Sequence, residues 1–120
     1  MLNLAHKKLD VWKKSLILVA EVYKLTQSFP RDEQFGLTSQ IRRASVSVIS
    51  NIAEGFARNS ELETKRFLEI ARSSLVEVDT QIEIALKLNY LNEKNIIDLA
   101  ESSNHIFAML TKLINKLLKV

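Results

Sequence analysis

The sequence predicts an all-α protein, an antiparallel up-down-up-down four-helix bundle with residues 1–120 as one domain. Three observations predict it. Two Gly and one Pro in 120 residues leave little material for hairpin turns. Apolar residues recur at spacings of three and four through long segments, the period of amphipathic helices. The breaks between those segments span only a few residues, so consecutive helices fold back beside one another. A chain of this length buries roughly two-thirds of its unfolded surface, enough for a core without staples.

The first helix is expected over about residues 7–28. Leu9, Trp12, Leu16, Val19, Tyr23 and Thr26 form one apolar seam, and Val11, Leu18, Val22, Leu25 and Phe29 form a second. Two seams mean that the helix touches neighbours on two sides. Pro30 ends it, because residues before proline avoid the α region. The second helix starts between Arg31 and Thr38, with Thr38 as an N-cap candidate, and ends near residue 57. The third runs over about 60–88, opened by Ser60 with Glu63 three residues later, a capping box. The fourth runs over about 92–118. Asn92 is its cap, Leu91 and Ile96 form a hydrophobic staple, and Ile96, Leu99, Ser103, Ile106, Leu110, Leu113 and Leu117 make a heptad seam.

The segment from Ser39 to Arg58 combines adjacent arginines with many small side chains. Read at a period of 3.6, Ile41, Ala44, Val48, Ile52 and Phe56 form one continuous stripe. Ser39, Ser47 and Gly55 lie on another, beside Arg43 and Asn51, where small side chains admit a second backbone. That backbone belongs either to the same chain or to another subunit. Folding about the turn near Asn59 sets Arg42 and Arg43 within one turn of Glu77, which predicts an ion pair fixing helix register.

Composition excludes several function classes. Without cysteine there are no disulfides and no thiolate metal sites. No stretch approaches the roughly 18 uncharged residues of a membrane span, and the first residues hold no signal-peptide-like apolar run. A cytoplasmic location and no membrane partner are expected. His6 and His105 are the only histidines; Glu101 precedes His105 by four residues, not the three of a di-iron helix motif. Ser73 and Ser74 have no neighbouring histidine as base. Trp12 and Tyr23, at core spacing, are read as packing. The expectation is a protein without catalytic residues, metal or cofactor, and not an enzyme.

A family resemblance extends the reading. The stretch from Phe29 to Arg58, followed by Phe67 to Leu91, resembles the four-helix-bundle family of bacterial 23S rRNA intervening-sequence proteins. Its pattern is matched by Gln40-Ile-Arg-Arg-Ala44, including Arg43, by Asn51-Ile-Ala-Glu-Gly55 with Arg58, and by Ala71, Ser74 and Glu77. Glu54 and Gly55 belong to the second motif. The resemblance covers roughly residues 7–92. It implies an antiparallel bundle that assembles as a ring-like homopentamer, and no catalytic residues. It also implies a fold similar to the accessory proteins of diversity-generating retroelements, which bind nucleic acid and a reverse transcriptase.

Charge is uneven along the expected bundle axis. The formal net charge is +3, weak by itself as a sign of nucleic acid. One end, however, gathers Lys7, Lys8, Lys13, Lys14, Arg58, Lys65, Arg66, Lys112, Lys116 and Lys119 against Asp10, Glu54, Glu61, Glu63 and Glu69, a balance of +5. In a cyclic oligomer every such end faces one side, and five copies present about +25, a field that attracts phosphate backbones. Two classes of function follow. One is a non-enzymatic scaffold binding structured RNA or DNA through this rim. The other is a structural or protein-interaction module, for example a subunit accessory to a reverse transcriptase, in which the lysines only solvate the surface and complement a helix dipole. The subunit contact is expected on an outer seam of the first helix, Val11, Leu18, Leu25 and Phe29.

Overall fold

The computed structural model describes residues 1–117. Four helices form: α1 (Asp10–Thr26), α2 (Leu37–Phe56), α3 (Glu61–Lys87) and α4 (Ile97–Lys116). Single 3-10 turns at Ala5–Lys8, Arg31–Glu33 and Glu93–Ile96 precede α1, α2 and α4. The described residues contain no strand, and no helix among them is long and apolar enough to cross a membrane. The longest extent, 43 Å, is only a little more than the length of the 27-residue α3, about 40 Å at 1.5 Å per residue.

Helices pack in chain order around a square: α1 on α2, α2 on α3, α3 on α4 and α4 on α1. Side-chain bonds show that each neighbouring pair runs antiparallel. Arg42 near the start of α2 donates to Thr26 at the end of α1 (2.8 Å). Thr64 near the start of α3 donates to the carbonyl of Gly55 near the end of α2 (2.8 Å). Arg72 of α3 donates to Thr111 late in α4 (3.2 Å), and Ser102 early in α4 donates to Glu21 late in α1 (3.2 Å).

The core is a set of apolar stripes meeting on the bundle axis. Val11, Leu18 and Val22 come from α1, Ile41, Ala44, Val48 and Ile52 from α2, Leu68, Ala71, Leu75, Val78 and Ile82 from α3, and Leu99, Ile106, Leu110 and Ile114 from α4. The predicted α2 stripe is therefore the buried one, with Phe56 half-buried at its end. Truncating a fully buried member such as Leu18 to Ala costs about 2–5 kcal/mol in lost burial and cavity.

Several local expectations are corrected. Leu9 is extended, with φ −75° and ψ 138°, so α1 begins at Asp10 and not Lys7. The second of its two seams faces the core. Val11, Leu18 and Phe29, expected to contact another subunit, are buried inside their own chain. On the first seam Leu16 is half-exposed and Tyr23 lies under the Arg42 guanidinium, 4.6 Å from the ring centre. Thr38 lies inside α2 and does not cap it. The free N–H of Leu37 is met instead by the Glu33 carboxylate at 3.1 Å, which curls into the space that a Cβ on Gly36 would occupy.

Two other ends are capped at the expected residues. Ser60 accepts from the Glu63 N–H at 3.2 Å and caps α3, which is one half of the expected box. Asn92 forms a reciprocal box with Asn95, but the element it caps is the 3-10 turn Glu93–Ile96, so α4 begins at Ile97 and not at 92. Leu91 and Ile96 both pack on the core, Leu91 buried and Ile96 half-buried. α3 closes on Asn89 with φ 63°. The N–H groups of Tyr90 and Asn89 return to the carbonyls of Ala85 and Leu86, satisfying two carbonyls at the helix end. The expected end of the fourth helix at 118, and Lys119, lie outside the described residues.

Candidate nucleic-acid interface

The family-like residues of α2 and α3 build a helix contact. Gly55 is buried, and a Cβ there would lie 3.1 Å from the Phe67 Cβ and 3.2 Å from the Thr64 carbonyl oxygen. Ser47 and Ser74 share a hydrogen bond of 2.8 Å. Asn51 donates to the Ser47 carbonyl and hydroxyl at 2.8 and 3.0 Å. The small-residue stripe is therefore occupied by α3 of the same chain. Its pairs set the register one to three residues away from a simple fold about Asn59.

The predicted register-fixing ion pair does not form. Arg42 turns to the other side of α2, where it bonds Thr26, reaches the Tyr23 carbonyl at 3.4 Å and stacks on the Tyr23 ring. Arg43 does share a groove with Glu77, together with Gln40, Ser47, Ser74 and Gln81. Both charged side chains are exposed there, and among the described residues no ion pair closes between them. A hydrogen-bond network and close packing thus lie where a salt bridge was expected, and a pair between two exposed charges there would add little to stability.

The antiparallel topology brings the start of α1, the turn between α2 and α3, and the end of α4 to one end of the bundle. The candidate cations fall into two groups there. Lys112 and Lys116 border the α1/α4 groove with Asp10, and Lys7, Lys8, Lys13 and Lys14 lie on or just before the first turns of α1. Arg58, Lys65 and Arg66 lie across the bundle at the α2–α3 turn. Lys8, Lys13, Arg66, Lys112 and Lys116 are exposed. Lys7 donates to the Leu2 carbonyl at 2.7 Å, tying down the N-terminal segment. Arg58 is partly committed: it pairs with Glu54 at 3.1 Å and stacks 4.6 Å above Phe67. The described cations of this end thus form two basic sectors on opposite sides of the bundle. Among the described residues no three or more His, Asp or Glu side chains converge as metal ligands.

The opposite end is tied by contacts that periodicity did not indicate. Tyr90 donates to the Glu33 carboxylate at 2.7 Å, and the Phe29 and Tyr90 rings meet at 5.5 Å. Glu33 is held below its ordinary pKa of 4.5 by the Tyr90 hydroxyl and then by the Leu37 N–H. Glu21 is pushed up by burial, against the Ser102 hydrogen bond, with Asp98 adding repulsion. Beside this end Phe35 stands 91% exposed. Its signal in the sequence is an aromatic residue in a polar connection just before Gly36.

Among solved structures the chain is similar to a protein of unknown function from the S23 ribosomal protein family of Bacteroides thetaiotaomicron. That likeness has a TM-score of 0.77 at 23% identity and covers 87% of this chain and 97% of the other. At this identity it speaks for the fold alone. No curated protein matches the chain. The sequence pattern of one family does, through residues 7–112, which include all four helices but for the last turn of α4, and the chain therefore belongs to the 23S rRNA-intervening sequence protein family.

Proposed function

We propose that the protein is a non-enzymatic, cytoplasmic scaffold that assembles as a ring-like homopentamer and binds structured RNA through the basic end of its bundles. The observation that carries the reading is the segregation of charge. The antiparallel fold brings nine described candidate cations to the end that holds five anions. Repetition around a ring sums these ends on one face, and the two basic sectors of each copy alternate around the rim. The family name, with its tie to 23S rRNA, agrees with an RNA ligand.

Such a surface recognises the spacing of phosphates and not base edges. The exposed aromatic side chains lie mainly away from this end: Tyr23 late in α1, Phe35 before α2, and Phe107 in the middle of α4. Stacking platforms for unpaired bases are therefore not part of the rim. A folded RNA with closely spaced phosphates suits a rigid rim better than a single strand.

A gel-shift assay with a structured ribosomal RNA fragment at low and high salt tests the proposal. The wild-type chain is expected to retard the RNA at low salt and to release it as salt rises. Reversing Lys7, Lys8, Lys13 and Lys14 to Glu is expected to abolish the shift with the oligomer mass unchanged. Absence of a shift at low salt, or equal binding by the reversed variant, overturns RNA binding through this end. It leaves the protein-interaction reading, in which the partner is a protein such as a reverse transcriptase.

A further inference from the structure

We propose that Phe35 is the anchor by which one copy of this chain docks into the groove between α3 and α4 of the next. The inference rests on the assembly reading above only in requiring a second copy, and it names the two surfaces that meet.

Phe35 is 91% exposed. It borders the α1/α2 groove, where Tyr23 and Val46, each 40% exposed, add apolar surface, and where Arg42 and Arg43 are the charged lining residues. A ring held this far into water beside further apolar surface is a feature of contact patches, and aromatic and Arg side chains dominate the energetics of such contacts. The α3/α4 groove has the complementary character. Its cavity of about 360 Å³ has buried Leu75, Val78 and Leu99 in its floor and half-exposed Val76 and Phe107 on its walls. Its charged lining residues are Asp79 and Glu83. Among their lining residues the first groove thus has two cations and no anion, although Asp32 and Glu33 lie just before Phe35 in the chain, and the second has two anions and no cation.

The topology places these surfaces on different sides of the bundle, so one copy can use both at once. With helices in the order α1, α2, α3, α4 around the square, the α1/α2 edge and the α3/α4 edge are opposite sides of the bundle. Both surfaces lie in the same half along the axis. Phe35 precedes α2, while the groove is lined by residues 75–83 near the end of α3 and 96–107 at the start of α4. A contact between unlike patches is heterologous, and it closes into a ring when each copy turns from the last by a whole fraction of a full circle about an axis along the bundles; without that turn it runs on as a filament. In that arrangement Arg43 approaches Asp79 and Glu83 of the next copy, and the basic ends all point the same way.

The test is light scattering over a range of concentrations on the wild-type chain, Phe35→Asp, Val76→Asp and an equimolar mixture of the two variants. Phe35 and Val76 are at least half exposed, so unchanged circular dichroism is expected. The double reversal of exposed Asp79 and Glu83 to Lys serves as a second socket variant. The wild type is expected as a closed oligomer and each variant as a single copy. The mixture is expected as a two-copy complex and nothing larger, because it holds one intact anchor and one intact socket. A Phe35→Asp chain with the wild-type mass overturns the anchor and leaves the ring standing. A mixture that stays at one copy overturns the pairing of these two surfaces. A wild-type chain that is a single copy at every concentration overturns the ring and the anchor together.

Discussion

Glu33 joins two connections that lie 57 residues apart in sequence. One carboxylate oxygen receives the Tyr90 hydroxyl and the other the first free N–H of α2. Both bonds favour the charged form, so the pKa falls below the ordinary 4.5. The same bond makes the Tyr90 phenol harder to ionise. A carboxyl whose folded pKa is depressed contributes stability that is present above its unfolded value and is lost as pH falls through the folded one. Glu33→Gln is therefore expected to be less stable than wild type at neutral pH, with the difference closing below pH 4.5. Urea unfolding of both chains at a series of pH values measures it. A difference of constant size down to about pH 3 contradicts the role. This cap was not legible in the sequence. Thr38 has the residue type of an N-cap, whereas Glu33 caps through a turn whose shape depends on Gly36 and on Tyr90 from the far connection. Ser60, whose partner is only three residues away, was legible.

At the scale of elements, the closeness of α2 and α3 depends on Gly55. Alanine there gains about 1 kcal/mol of helix propensity. Against this, its Cβ meets Phe67 and the Thr64 carbonyl oxygen at 3.1 and 3.2 Å, and overpacking costs about 1–3 kcal/mol. The backbones cannot separate freely, because the Thr64 hydroxyl is bonded to the Gly55 carbonyl. Gly55→Ala is expected to lower the melting temperature, and Gly55→Leu to lower it further. A melting temperature equal to or above wild type for Gly55→Ala shows that the helices can yield. The small-residue stripe itself was readable from helical period, but its partner was not, since a serine or glycine face admits any backbone that approaches. α1 shows the same limit in apolar form. Its two seams have the same period, and only the position of α2 and α4 decides that Val11, Leu18 and Val22 go inside while Leu16 and Tyr23 border the surface.

For the whole molecule, charge and assembly are coupled. If phosphate binding uses the rim of a ring, the dependence of RNA affinity on salt reports how many cations act together. The single-copy Phe35→Asp chain is expected to show weaker binding and a shallower slope of log affinity against log salt than the wild type, although none of its basic residues has changed. Equal slopes for the two chains indicate that one bundle end suffices and that the ring adds nothing to binding. By itself the sequence determined the helical class, the number of helices, their approximate limits, the antiparallel order and the sorting of lysines to one end. All of these follow from period, breakers and short connections, which are local. Only the tertiary structure decided which seam of α1 is buried, that Arg42 serves α1 and not Glu77, that Glu33 and Tyr90 close the far end, and that Phe35 and the α3/α4 groove lie on opposite edges. The first two depend on the rotation of a helix about its own axis and the others on how connections far apart in sequence are brought together, and both are set by packing neighbours, not by the spacing of residues along a helix.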